Sequence, residues 1–324
     1  MFNRSIVKSS QLIALINLAL LLTTPLLSQE LSHAKGPLKQ PLSAHDQSAL
    51  SAAEPIDRQL AKYARQVPEM GFLRLYGDKA ANILSQLPEL LGDGAMNMDY
   101  EHNTSVRNTL MELQMYRIGL MLDKDLPSAT LFKVGDDSVF EHKYLCVITL
   151  DLTPYKQTPS YATQFMLSGY NDSVLIENDA FLKFTVDHEV FHCLDAYFNG
   201  PPIKKTQSQV VNHYQQYINE ARADAFSTLT FKQNVKNPNH FLNIFAAMRT
   251  LSVLNLDLQH FTGDVIRHSI NTFQDFGIQS IETLIDMSRE LVNDIIPSYE
   301  VYGIRLASTI QMLKQRDDKY GTHL

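Results

Sequence analysis

Hydrophobic residues recur at three- to four-residue spacing over much of the first part of the chain. This spacing places them on one face of an α-helix, because a helix returns to the same face after three or four residues. It predicts that the region 55–127 is mainly helical. The clearest stretches are residues 60–67, 80–91 and 105–122.

The pattern changes after Pro127, where short runs of β-branched and large apolar residues are separated by turn residues. Such runs predict β-strands, and the sequence Gly135-Asp136-Asp137 between two of them indicates a turn. The predicted strands are residues 129–134, 144–152, 161–168 and 173–176. Their close succession predicts a small, mainly antiparallel sheet within residues 128–177.

Helical spacing returns near residue 180 and continues towards the C-terminal end of the chain. Asp179 is placed to cap a helix at residues 180–198, and the sequence Asn199-Gly200-Pro201 ends it. Thr206 is placed to cap a long helix at residues 207–231. Further helices are predicted at residues 238–256, 261–275, 279–293 and 303–317. Helices, then a small sheet, then helices again predict an α+β fold with a helical C-terminal half.

The first residues have the layout of a secretory signal peptide. Positive charges at Arg4 and Lys8 precede an apolar stretch at residues 12–22, and small residues follow. The stretch is short for a membrane span, so we expect residues 1–34 to be removed and no span to remain; an uncleaved anchor is the alternative. Residues 35–54, rich in Ser, Ala, Gln and Pro, are predicted to be a linker or a poorly ordered tail. The predicted location is therefore periplasmic or secreted.

Composition and charge are those of a folded globular protein that does not bind nucleic acid. Of the 324 residues 44% are hydrophobic, which is typical of a folded globular protein, and a formal net charge of -7 predicts no nucleic-acid surface. Export implies an oxidising compartment, in which Cys146 and Cys193 can form a disulfide. Two buried thiols are the alternative, since sequence alone says nothing about the distance between them.

The predicted helix at 180–198 contains His188-Glu189-Val190-Phe191-His192, which has the pattern His-Glu-x-x-His. Residues four apart lie one turn apart on the same helix face, so His188 and His192 can direct their imidazoles at one metal ion. Imidazole nitrogen is a good ligand for zinc. Glu189 is offset from that face, where it can take a proton from metal-activated water and pass it to a leaving group. The motif therefore predicts a catalytic metal site.

A catalytic zinc usually has a third protein ligand, and the next predicted helix offers two carboxylates. Glu220 and Asp224 are four residues apart and share a face, so one can bind the metal while the other supports a ligand histidine. We expect Glu220 to be the ligand and Asp224 to orient His188. Two alternatives remain open. Asp224 can be the ligand with Glu220 in support, or Asp195, which follows His192 by one turn, can be recruited.

Together, His188-Glu189-x-x-His192 and Asn219-Glu220-x-x-x-Asp224 resemble the gluzincins, the thermolysin-like group of zinc metallopeptidases. The resemblance covers about residues 170–230 and implies a zincin-like catalytic region, which we place at residues 128–324. It also implies one zinc ion, with both histidines and Glu220 as ligands, Glu189 as the general base and Asp224 in support. The expected substrate is a peptide or a protein.

Zinc peptidases also need a group that stabilises the negative charge developing on the substrate oxygen. The resemblance implies a downstream Tyr or His, and Tyr302 is the first candidate, followed by Tyr299 and His268. It also implies that the peptide binds as an added strand along a sheet edge. Residues 164–169 and residues 144–152 are the two candidate edges.

The sequence thus favours an exported zinc metallopeptidase that hydrolyses peptide bonds with metal-activated water. The alternative is a catalytically inactive, metal-containing binding or accessory protein of the cell envelope. Metal analysis together with a broad peptide-library assay separates the two hypotheses, because bound zinc with no cleavage of any peptide would favour the second.

Overall fold

A computed structural model describes residues 44–75, 80–98, 127–150, 178–200, 209–252, 257–272 and 277–320. These residues form eight helices and a four-stranded sheet, which makes the fold α+β. The helices are α1 (Ala44–Gln66), α2 (Ala80–Leu91), α3 (Asn178–Asn199), α4 (Gln209–Asn234), α5 (Asn239–Leu251), α6 (Gly263–Thr272), α7 (Ile281–Ile295) and α8 (Tyr299–Tyr320). The strands are β1 (Met70–Leu75), β2 (Met96–Asn97), β3 (Ser128–Lys133) and β4 (Tyr144–Thr149).

The sheet is mixed and has the strand order β1-β4-β3-β2. Strand β1 runs parallel to β4, whereas β3 is antiparallel to both β4 and β2. The predicted strands at 129–134 and 144–152 are confirmed as β3 and β4. The region 55–127, which was predicted to be mainly helical, contains α2 and the second half of α1, but also the strands β1 and β2, which were not predicted. Because every residue of β1 is buried, its apolar run has no alternation that would separate a strand from a buried helix segment.

The position of β4 corrects one expectation about substrate binding. Strand β4 lies in the centre of the sheet and is paired with β1 on one side and β3 on the other over Tyr144–Thr149. Its backbone donors and acceptors are therefore used on both sides, and it cannot accept an added peptide strand. The other candidate edge, at 164–169, lies outside the described residues. So do the predicted elements at 105–122, 161–168 and 173–176 and the predicted signal peptide.

The predicted helices of the C-terminal half are confirmed as α3 to α8, with small shifts of their ends. Helix α3 begins at Asn178, so Asp179 lies inside it and is not the cap that we predicted. The Thr206 cap lies outside the described residues. Helix α1 begins at Ala44, within the stretch 35–54 whose composition predicts a linker. Alanine is the strongest helix former, and this stretch contains several.

The two faces of the sheet bury different helices. One face packs against α2, through residues such as Leu87 and Phe132. The other face packs against α1, α3 and α4 in the largest hydrophobic cluster, which includes Leu60 and Phe226. Cys146 of β4 and Cys193 of α3 form a disulfide in this cluster, with Cα atoms 5.8 Å apart. Helix α3 is thus held between the sheet and the helical half of the molecule.

Candidate metal centre

Helices α3 and α4 pack against each other and bring three of the predicted residues together. His188 and His192 lie one turn apart on α3, and Glu220 faces them from α4. One ligand atom from each lies within 4.8 Å of the other two, and no other described residues form such a His, Cys or carboxylate group. His188 Nε2 is 2.9 Å from Glu220 Oε2, and His192 Nε2 is 3.8 Å from Glu220 Oε1. This group can hold a metal ion.

Asp224 lies behind His188 and does not join this group. It is fully buried, and its Oδ1 is 2.8 Å from His188 Nδ1, the ring nitrogen that points away from Glu220. A carboxylate in this position accepts a hydrogen bond from Nδ1–H, which keeps the proton on Nδ1 and leaves Nε2 free to bind a metal. The expected supporting contact of Asp224 with His188 is therefore present, whereas the alternative with Asp224 as the ligand has no support from the geometry.

Asp195, the other alternative ligand, is engaged elsewhere. Its Oδ1 accepts hydrogen bonds from Arg289 Nη1 at 2.6 Å and from Asn199 Nδ2 at 2.9 Å. The pair with Arg289 connects α3 to α7. Asp195 therefore stabilises the packing of α3 and is not a member of the metal-binding group.

Two residues that belong to no motif in the sequence hold Asp224 in turn. Arg249 of α5 contacts both carboxylate oxygens at 2.9 Å, and the Thr262 hydroxyl donates to Oδ2. Burial acts to raise the pKa of Asp224, but Arg249 and the neighbouring His188 outweigh it and lower the pKa to about 2. Asp224 is therefore ionised and fixed at neutral pH, which keeps the orientation of the His188 ring constant.

His260, which was also absent from the sequence predictions, lies between Glu220 and Asp257. Its Nε2 is 3.1 Å from Glu220 Oε2, and its Nδ1 is 2.7 Å from Asp257 Oδ2. Burial and Arg249 act to lower the pKa of His260, but Glu220 and Asp257 outweigh them and raise it to about 9. The ring is therefore a proton donor at neutral pH. It lies in a loop with no periodic pattern, so its only sequence signal was the residue type.

Glu189 is buried on α3, next in sequence to His188. Burial raises the pKa of its carboxyl group to about 7, since removal from water disfavours the charged form and Glu220 adds a like charge nearby. A carboxyl group with a pKa near neutrality can both accept and return a proton under ordinary conditions.

The three metal-binding residues differ in protonation before a metal binds. Burial acts to lower the pKa of His188, but Asp224 and Glu220 outweigh it and raise the pKa to about 10. Burial lowers the pKa of His192 to about 4. Burial acts to raise the pKa of Glu220, but His260 and His192 hold it well below its ordinary value. One proton, on His188, therefore has to leave when a cation binds.

The three sequence candidates for charge stabilisation have no contact with the metal-binding group among the described residues. Tyr302 is buried on α8, where its hydroxyl is 2.7 Å from His213 Nδ1 and its ring stacks on Tyr217. Tyr299 packs edge-on against the ring of Tyr214, and His268 lies partly buried in α6.

Tyr217 and Glu220 are three residues apart on α4, so Tyr302 covers the turn before Glu220. The role of Tyr302 stays a prediction.

Comparison of the chain with protein-family models, curated proteins and solved structures found no match. In the part of the chain that the structure describes, no helix has the combined length and hydrophobicity to cross a membrane.

Proposed function

We propose that this protein is an exported zinc metallopeptidase of the gluzincin type. The observation that supports this most directly is the convergence of His188, His192 and Glu220 within 4.8 Å, with the buried Glu189 beside them. Three protein ligands, with room for a water or a substrate, are typical of catalytic zinc, whereas structural zinc usually has four.

The donor set supports zinc as the metal. Two imidazole nitrogens and one carboxylate oxygen suit this ion. Tetrahedral zinc has its ligand atoms roughly 3.3 Å apart, given zinc-ligand bonds of about 2.0–2.1 Å. The separations of 2.9 Å and 3.8 Å between Glu220 and the two histidines lie on either side of that value. These two distances involve different oxygens of Glu220, Oε2 and Oε1, so its carboxylate has to turn to present one oxygen to both histidines.

Each residue of the site has a role in the proposed reaction. A bound zinc ion lowers the pKa of water and polarises the carbonyl of the substrate. The Glu189 carboxylate accepts the proton of the attacking water and transfers it to the leaving nitrogen. His260, charged and held by Asp257, donates a hydrogen bond to the oxygen on which negative charge develops. Asp224 keeps His188 in the tautomer that binds the metal.

A peptide substrate is proposed from the resemblance to gluzincins, and export from the N-terminal pattern. The disulfide between Cys146 and Cys193 supports export, since disulfides persist in oxidising compartments and are rare in the cytosol.

The decisive variant is Glu189→Gln, which keeps the size of the side chain and removes its basic oxygen. We expect it to bind one zinc ion per chain with nearly unchanged affinity and to lose hydrolysis of a peptide library by about 10²–10⁴-fold. Glu69→Gln is the matched control, because Glu69 is a surface residue paired with Lys143. This control should hydrolyse peptides like the wild type.

Metal analysis and peptide cleavage together separate the two hypotheses. A wild-type protein that binds zinc and cleaves no peptide would favour the accessory protein of the cell envelope. Full activity of Glu189→Gln would rule out the proposed general base.

A further inference from the structure

The two histidines of the metal centre are held in different ways. His188 is oriented by a hydrogen bond from its Nδ1 to Asp224, which Arg249 and Thr262 hold in turn. His192 has no hydrogen bond to any described residue, and its nearest charged partner is Glu220 at 3.8 Å. Its side chain is also the most exposed of the three, at 25% compared with 6% for His188 and 18% for Glu220. Within the described part of the chain, the His192 ring is therefore held by edge-on packing against His188 and Phe191, and its position depends on where its helical turn lies.

The backbone of His192 is attached to a covalent cross-link. The next residue, Cys193, is bonded to Cys146, and both are buried. Cys146 lies in the central strand β4, where it is aligned with Phe72 of β1 and Leu131 of β3. The disulfide thus connects the helical turn of His192 to the most constrained strand of the sheet.

We propose that the Cys146–Cys193 disulfide is a positioning element of the metal centre, which does for His192 what Asp224 does for His188. It restricts rotation and translation of the turn that carries His192 and so keeps Nε2 at the distance from Glu220 at which both can bind one ion. The inference rests on the zinc-binding part of the proposed function. It does not require that the protein hydrolyse peptides.

The test is the zinc affinity of variants in which both cysteines are replaced together, so that no free thiol competes for the metal. We expect Cys146→Ala/Cys193→Ala to fold and to bind zinc about 10–100-fold more weakly, the range seen when a residue that orients a ligand is removed. A second variant, Cys146→Val/Cys193→Ala, fills more of the space left by the sulfur atoms and serves if the first does not fold. Affinity is measured by competition with a chelator of known zinc affinity.

A double-mutant cycle shows whether the effect passes through His192. His192→Ala should weaken zinc binding by a smaller factor in the disulfide-free protein than in the disulfide-bonded one, because the disulfide acts on that ligand. His188→Ala is the matched control and should weaken binding by the same factor in both backgrounds. Unchanged zinc affinity in the disulfide-free protein, or equal non-additivity for the two histidines, would overturn the inference.

A general loss of stability is separated from positioning by Leu87→Ala, which creates a cavity on the opposite face of the sheet. This variant should lower the melting temperature and leave zinc affinity unchanged. If it weakens zinc binding as much as loss of the disulfide, the positioning role is wrong. A wild-type protein that binds zinc without cleaving peptides would contradict the proposed peptidase function but not the role of the disulfide. The double-mutant cycle of zinc affinities would still decide that role.

Discussion

At the scale of single residues, His260 and Tyr302 are the two candidates that we propose as donors to the substrate oxygen. His260 contacts Glu220 directly and is charged at neutral pH, since its pKa is raised to about 9. The Tyr302 hydroxyl lies instead against His213, at 2.7 Å from its Nδ1, and burial raises the Tyr302 pKa far above the ordinary value. A donor that is charged and adjacent to the ligands is better placed to stabilise developing negative charge.

We therefore expect His260→Ala to lower kcat by about 10²–10³-fold at saturating zinc, which is the range for loss of one such donor. Tyr302→Phe should lower kcat by less than about tenfold, since it removes only the hydroxyl bonded to His213. Tyr214→Phe is the control, because its hydroxyl is bonded to the Pro297 carbonyl. A larger loss of kcat in Tyr302→Phe than in His260→Ala, with both proteins folded, would assign the role to Tyr302.

The residues that sequence could predict are those with helical spacing. His188 and His192, and later Glu220 and Asp224, repeat every four residues, and this spacing alone places each pair on one helix face. Arg249 and His260 come from α5 and from a loop, and they reach the site only through the packing of several helices against α4. Contacts between such distant segments have no periodic signal, so they could not be predicted.

At the scale of elements, α1 and α3 are joined by a buried polar contact at Asp187, the residue before His188. The Tyr63 hydroxyl and the Gln59 amide of α1 both donate to Asp187 Oδ1 of α3. Asp187 is 3% exposed, and burial raises its pKa to about 7 in spite of these two donors. A buried carboxyl group needs such donors, because an unsatisfied one carries the full cost of its desolvation.

Tyr63→Phe should lower the free energy of unfolding by about 1–3 kcal/mol, because it leaves buried Asp187 with one donor fewer and forms no new contact. Tyr197→Phe is the matched control, since its hydroxyl donates to the surface residue Glu69 and its loss should cost less than about 0.5 kcal/mol. Urea unfolding of both variants measures the difference. Equal midpoints for the two would show that the contact between α1 and α3 adds nothing to stability.

Periodicity predicted helices such as α6 and α7 because each has a buried apolar face and an exposed polar face. It did not predict β1, whose six residues are all buried and whose strand partner, β4, is distant in sequence. Nor could it decide between a disulfide and two thiols, because the pairing of Cys146 with Cys193 depends on how α3 packs against the sheet. A periodic pattern gives no information on how helices and strands that are distant in sequence pack against one another.

At the scale of the whole molecule, the proposed zinc centre should couple metal binding, protonation and stability. Without metal, the His188 pKa of about 10 lies above its ordinary value of 6.5. The charged ring therefore stabilises the metal-free fold fully below about pH 6.5, and this contribution is lost as pH rises through about 10. The affinity for zinc should change with pH in the opposite direction. The ion has to displace the His188 proton, so its affinity should rise by about tenfold per pH unit in this range.

The stabilisation by zinc should therefore grow with pH. Zinc at about 100 times its Kd stabilises the fold by about 2.7 kcal/mol, and an increase from about pH 6 to about pH 8 at constant free zinc should add a similar amount. The measurement is the difference in melting temperature between zinc-loaded and chelator-treated protein at each pH. Asp224→Asn is the control, since it removes the carboxylate that contributes most to the raised His188 pKa, and its melting-temperature difference should vary less with pH. A difference that stays constant or narrows as pH rises would contradict the coupling, because it would mean that no proton leaves His188 when the ion binds.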